Sequence, residues 1–182
     1  MPENYKLIRR CQKKSKKAFD ELYRKYSGLV FGICLRYTKN RVEAEDLLHD
    51  CFLKIIENIE AFQFSGSSEG WVKRIAVNTA INKYRSKRRD IELEDDESQF
   101  DDANTKVESQ IEKLQLEELL NIINSISEGY RIIFNMYVIE GYQHKEIADI
   151  LGISENTSKT QYRKARLAII EKLKSLNEEN ER

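Results

Sequence analysis

YQHKEIADILGISENTSKTQYRKAR, residues 142–166, is the stretch on which the reading of the fold turns. Ile147, Ala148, Ile150 and Leu151 recur at helical spacing and form the core face of a short helix. Gly152 stands where a left-handed residue ends that helix, Ile153 plugs the turn, and Ser154 caps the next helix. Helix, four-residue turn with glycine, helix is the pattern of a helix-turn-helix. The second helix buries a seam of Tyr162, Ala165, Ile169, Ile170 and Leu173. It also carries Thr157, Lys159, Thr160, Gln161, Arg163, Lys164 and Arg166, which can donate to base edges or phosphates. The competing reading is a plain helical hairpin with a solvated basic face.

Upstream, the stretch from Leu114 to Ile123 is amphipathic, and Ile126 to Arg131 is expected to break it. Ile132, Ile133, Met136, Tyr137 and Ile139 then mark a further helix. The whole chain has 182 residues, one proline (at position 2) and seven glycines, too little punctuation for hairpins and sheets. The expected fold class is all-α, with two small helical domains joined by an acidic flexible linker.

The zero net charge hides three blocks. Residues 1–90 carry 20 Lys/Arg against 11 Asp/Glu, residues 91–128 carry 2 against 12, and residues 129–182 carry 9 against 8. Blocks of unlike sign point to separate partners or an interaction tail. The middle block, IELEDDESQFDDANTKVES, has too few apolar residues for a core and is expected to be extended or disordered. A solubilising spacer and a nucleic-acid mimic both fit it. The organisation read from the chain is therefore 1–90, a linker over 91–111, 112–176, and a tail over 177–182.

In the first domain, Phe19, Leu22, Tyr23 and Tyr26 form an i, i+3, i+4, i+7 stripe. That helix continues through Val30, Phe31 and Cys34, with Gly28 and Gly32 expected to allow close helix approach. RVEAEDLLHDCFLKII follows from Arg41, with Ala44, Leu47, Leu48, Phe52 and Ile55 as its apolar face. Glu45, Asp46, His49 and Asp50 give it an acidic surface. After the small-residue loop from Gln63 comes WVKRIAVNTAINKYRSKRR, whose buried side is marked by Val72, Ile75, Ala76, Thr79 and Ala80. Trp71 opens it, Asn78 and Asn82 are i, i+4 neighbours, and Lys73, Arg74, Arg85, Lys87, Arg88 and Arg89 supply cations. Aromatics stack on exposed bases, amides read base edges, and Lys and Arg track phosphates. Singly, each has a bland alternative: a core tryptophan, an idle amide, a helix dipole complemented by cations. Their conjunction points to nucleic acid.

Other classes are excluded. Cys11, Cys34 and Cys51 form no CxxC pair, and the three consecutive residues His49, Asp50 and Cys51 diverge around a helix, so neither a disulfide framework nor a metal site is expected. Two histidines, no phosphate loop and no nucleophile elbow give no active site and no cofactor site. No run approaches the ~18 apolar residues of a membrane span, and the basic start is followed by no signal-peptide core. The cytoplasm is the expected location. The basic segment Arg9 to Lys17 fits either an arm or a helical start.

Together the two halves resemble the extracytoplasmic-function (ECF) sigma factors of bacterial RNA polymerase. AEDLLHDCFLKII looks like that family's polymerase-binding segment, WVKRIAVNTAINKYRSKRR like its promoter-melting and minus-ten helix, and GYQHKEIADILGISENTSKTQYRKAR like its minus-thirty-five helix-turn-helix. The resemblance implies that residues 1–90 and 112–176 are like sigma regions 2 and 4, with no catalytic chemistry. Asp46, His49, Asp50 and Phe52 would face the polymerase clamp. Trp71 would sit at the edge of the melted bubble, Asn78 and Asn82 would help recognise the minus-ten element, and the loop Phe64, Ser65, Gly66, Ser67 through Glu69 would capture a flipped base. Arg74, Arg85 and Arg88 would add minus-ten contacts. Lys159, Thr160 and Arg163 would approach minus-thirty-five base edges, Gln161, Lys164 and Arg166 the phosphates, with Thr157 beside them. The acidic linker would occupy the RNA channel. Core polymerase, promoter DNA and an anti-sigma factor would be the partners.

Some positions depart from the family pattern: His49 where Gln is usual, His144 for a frequent Tyr, Asn156 for Gly, Ser158 for Val and Gln161 for Arg. These bear on promoter sequence more than on function. The rival function is a stand-alone helix-turn-helix regulator of duplex DNA, using residues 142–174 with residues 1–90 as a dimerisation or sensing module. An RNA-binding protein using the basic first domain is a third reading.

Overall fold

The computed structural model describes residues 3–89 and 116–180, and all regular elements among them are helices. The segment expected to be an acidic linker lies outside these residues; of the tail read over 177–182, residues 177–180 continue the last helix and the final two lie outside. Two compact units are found, Met1–Tyr84 and Arg85–Arg182. Among the described residues, no helix is long and apolar enough to cross a membrane.

In the first unit, α1 (Glu3–Gln12) ends where Lys14 takes φ 59° and the Ser15 N–H closes back on the Arg10 carbonyl at 3.3 Å. The basic segment from Arg9 is thus a helix end, a turn and the start of α2 (Lys16–Tyr37). The buried stripe of α2 is Ala18, Leu22, Tyr26, Val30, Ile33, Cys34 and Tyr37. Tyr23, expected on that stripe, is 48% exposed, and Phe19 is half-buried. The expected close approach at Gly28 and Gly32 is not found: a Cβ added at either meets nothing within 4 Å.

Asn40 starts α3 (Arg41–Glu57), its side chain accepting the Glu43 N–H at 2.9 Å. Ala44, Leu47, Cys51, Phe52 and Ile55 are buried along α3, and a 3-10 turn at Ile59–Ala61 follows. Ser67 caps α4 (Ser68–Arg89) by accepting the Gly70 N–H at 3.2 Å. Tyr26 and Ser68, both buried, pair their hydroxyls at 3.0 Å, and the Cys51 thiol points at the Ala76 carbonyl at 3.8 Å, so α4 is bound to both α2 and α3. On α4, Val72, Ala76, Val77, Ala80 and Ile81 are buried, whereas Ile75 and Thr79 are only half-buried. The core side is therefore rotated away from the one read from sequence. Cys11, Cys34 and Cys51 are free and buried. Burial pushes the Cys11 thiol up to about 11, and a hydrogen bond between Cys34 and Cys51 together with burial raises that of Cys34, so the Cys11 and Cys34 thiols are core groups rather than nucleophiles.

The second unit contains α5 (Leu116–Ser125), α6 (Glu128–Phe134), α7 (His144–Leu151) and α8 (Glu155–Asn180). The expected break spans Ile126 and Ser127 only, because Glu128 to Arg131 already form the first turn of α6. α6 runs into a π turn, Asn135–Ile139. A π turn holds an extra residue per turn, which shifts the register and leaves Ile139 39% exposed instead of in the core. Ile122, Ile123, Ile126, Phe134, Ala165, Ile169, Ile170 and Leu173 make the core, with α8 as its spine. Arg131, read as part of the break, is fully buried, and its Nη1 donates to the Asn124 carbonyl at 3.5 Å.

Candidate nucleic-acid interface

The turn between α7 and α8 has the geometry its sequence demands. Gln143 and Glu146 form a capping box, the Gln143 N–H donating to the Glu146 carboxylate at 2.7 Å. Gly152 takes φ 68°, and the N–H groups of Gly152 and Ile153 both return to the Ala148 carbonyl, at 2.9 and 3.1 Å. The Ser154 hydroxyl accepts the Thr157 N–H at 2.9 Å. Ile153 is half-buried.

The core seam of α8 is Ser158, Ala165, Ile169 and Leu173, with Tyr162 half-buried on the same line. Helical spacing then puts Asn156, Thr160, Arg163 and Leu167 opposite it, with Lys164 adjoining. Lys159 and Arg166 flank one side, Thr157 and Gln161 the other. Among the expected donors, Lys159 pairs with Glu155 at 2.7 Å, and the Thr157 hydroxyl with that of Ser154 at 2.8 Å. The Lys159 ammonium holds the exposed Glu155 carboxyl below the usual range. Asn156 and the 44% exposed Leu167 were not singled out as contacts from sequence, although lying four residues before and seven after Thr160 placed them on that face.

His144 ties the two helices together. Its ring stacks on Tyr137 at 4.3 Å and 12° and lies 5.6 Å from Tyr162. Nδ1 is 3.0 Å from the hydroxyl of the buried Ser158. Two departures from the family pattern, His144 and Ser158, are therefore one contact, in which the polar ring supplies the partner that the buried hydroxyl requires. Burial and the charge of Lys159 hold the His144 imidazole below its ordinary range, against an opposing effect of Glu155. The folded state thus binds its proton less readily than the unfolded chain. The contribution is intact above the ordinary value of about 6.5, and stability is lost as pH falls below it, levelling off once the pH is under the depressed value. Amide exchange of residues 142–166 in the full chain, corrected for the intrinsic slowing of exchange as pH falls, is expected to show an excess that grows from pH 7 to 5. His144→Phe, which keeps the stack, should abolish that excess.

On α4, Trp71, Arg74, Asn78, Asn82 and Arg85 follow at i, i+3, i+7, i+11 and i+14, one face turned from the core. Arg74, Asn78 and Asn82 are exposed, and Trp71 and Arg85 are half-buried. The Arg88 side chain lies outside the described residues. Trp71 rests on Phe62, ring centroids 5.3 Å apart. The loop before α4 leaves Ser65, Gly66 and Ser67 exposed, with Gly66 at φ 85° and Phe64 at φ 57°. Phe64 is half-buried.

On α3, Val42, Asp46, His49, Leu53 and Ile56 share an outer face at i, i+4, i+7, i+11 and i+14. Val42, Leu53 and Ile56 are 69%, 46% and 42% exposed, an apolar element that sequence reading missed because it looked for core stripes. Asp50 is half-buried and ion-paired with Lys83 at 2.7 Å. Phe52, expected to face a partner, is 6% exposed and packs its ring 4.6 Å from Tyr23, so it supports this face from within.

A helical unit with an aromatic, amide and basic stripe, and a second unit with a helix-turn-helix, define a bipartite nucleic-acid-binding protein. Residues 22–90 match the family described as Sigma-70 region 2, and residues 116–169 match Sigma-70, region 4. The chain belongs to the ECF family of RNA polymerase sigma factors. It is 29% identical over 181 residues to the ECF RNA polymerase sigma-E factor of Haemophilus influenzae, covering 93% of this chain and 95% of that protein. With the ECF RNA polymerase sigma factor SigW of Bacillus subtilis the identity is 26% over 181 residues, covering 94% and 97%. A solved structure of the sigma factor RpoE with the anti-sigma factor NepR from Bartonella quintana aligns at TM-score 0.49 and 19% identity, over 87% of this chain and 98% of that one. Two sigma regions in one chain do not favour the stand-alone regulator.

Proposed function

We propose that this sigma factor docks on core polymerase through the outer face of α3 and reads a promoter at two separate places, with no covalent chemistry of its own. Asp46 and His49 supply polar contacts on the docking face, Asp50 through its pair with Lys83, and Val42, Leu53 and Ile56 supply apolar area for the buried core of the interface. The loop Phe64–Glu69 and the α4 face of Trp71, Arg74, Asn78, Asn82 and Arg85 hold unpaired minus-ten bases. Unstacking a base costs a few kcal/mol, offset by about 1–3 kcal/mol of aromatic stacking and by phosphate contacts. The outer face of α8, with Thr160 and Arg163 central, Lys159, Lys164 and Arg166 beside them, and Gln161 on the flank, enters the minus-thirty-five major groove. Residues 1–90 and 112–176 are the two reading bodies and 91–111 their acidic tether, with an anti-sigma factor as a further partner and the cytoplasm as the location.

The observation that carries this reading is the single α4 face on which Trp71, two amides and two arginines converge. In run-off transcription on genomic fragments, core polymerase is expected to use discrete start sites only when this chain is added. Absence of any start site dependent on it would refute the reading, as would tight specific duplex binding without polymerase.

A further inference from the structure

We infer that α1 is the positioning element of the minus-ten loop, with Tyr5, Arg9 and Gln12 fixing the loop conformation in which it reads a base. This rests on the assignment of Phe64–Glu69 to base capture. Three residues at successive turns of α1 hold the segment from Ile59 to Gly66. Gln12 Nε2 donates to the carbonyls of Ile59 at 3.0 Å and Phe62 at 3.2 Å. The Tyr5 ring meets Phe62 and Phe64 edge-on, at 5.8 and 5.6 Å, and its hydroxyl donates to the Gly66 carbonyl at 2.6 Å. The Arg9 guanidinium lies over the Phe64 ring, 5.3 Å from its centre.

The loop needs such a hold. Phe64 is a non-glycine residue at φ 57° and Gly66 follows at φ 85°. A left-handed aromatic residue persists only where its surroundings over-determine it, and such strain gathers at functional positions. Here the surroundings are Tyr5, Arg9 and Phe62, the last 5.2 Å from Phe64 and itself under Trp71. The Phe64 ring is thereby committed to the protein. What the loop presents outward is the exposed Ser65 and Gly66, held at one end by the α4 cap and at the other by α1. The same cluster joins the loop to Trp71, so α1 sets loop and tryptophan in common register.

The test uses the full chain with core polymerase on a promoter series in which each minus-ten and minus-thirty-five base is substituted singly. Tyr5→Phe removes only the hydroxyl, and Arg9→Gln removes the cation while Arg9→Lys restores it. At one minus-ten position, Tyr5→Phe is expected to lower base discrimination about three- to tenfold, the worth of one hydrogen bond, and Arg9→Gln about two- to fivefold, the worth of one cation–π contact. Arg9→Lys should recover most of it, and minus-thirty-five discrimination and thermal midpoint should stay unchanged. Ser65→Tyr, which crowds the exposed loop face, should abolish discrimination at that same position. If Ser65→Tyr abolishes it while Tyr5→Phe and Arg9→Gln do not, α1 has no positioning role. An equal loss across all minus-ten bases overturns the inference in favour of simple stability. If Ser65→Tyr also leaves discrimination intact, the assignment of the loop fails and the inference falls with it.

Discussion

Phe134→Ala is expected to cost the second unit about 3–5 kcal/mol, the range for emptying an aromatic site in a packed core. Phe134 is 2% exposed and lies in one cluster with Ile122, Ile123, Ile126, Ala165 and Ile169, so the void opens between α5, α6 and α8, directly behind the recognition helix. A marginally stable domain cannot absorb such a loss. Amide exchange along α8 should approach that of an unfolded chain, and minus-thirty-five protection in footprints should vanish. The chain has one tryptophan, Trp71, in the first unit, so its fluorescence reports that unit separately in the same urea titration. Unchanged protection of α8 in the variant would mean that Phe134 does not support the recognition helix.

For Trp71→Ala, a fall in open-complex formation of about 5- to 150-fold is expected, the equivalent of the about 1–3 kcal/mol that base stacking supplies. Closed-complex binding should fall far less, because the recognition helix and the α3 face are untouched. Trp71 also covers Phe62, so some loss must come from the loop beneath it. Trp71→Phe keeps that packing and most of a stacking surface, and should recover a large part of the rate. Permanganate reactivity of the minus-ten bases and gel shifts of the polymerase complex measure the two steps. An equal loss in both would remove Trp71 from the melted bubble.

Much of the second unit was legible because its signals are local. Gly152, Ser154 and the spacing of Ile147, Ala148 and Leu151 each specify a backbone state or a face within a few residues, and the structure has each where local chemistry puts it. What misled were features set at a distance. Ile139 left the core because a π turn inserted a residue. The glycines of α2 met no neighbour, and Phe52 lies on the buried face of α3, as its apolar pattern has it, rather than facing outward. The apolar outer stripe of α3 went unread because buried and exposed apolar residues have the same chemistry and differ only in what lies opposite them.

By itself the sequence determined the helical class, the helix-turn-helix and the family likeness, since periodicity, caps and turn residues act over one or two helical turns. Only the tertiary structure decided that His144 and Ser158 are partners, that Asp50 is held by Lys83, and that α1 clasps the loop before α4. Each of those contacts joins residues 14 to 61 positions apart, and chain closure over such distances is fixed by the packing of whole helices.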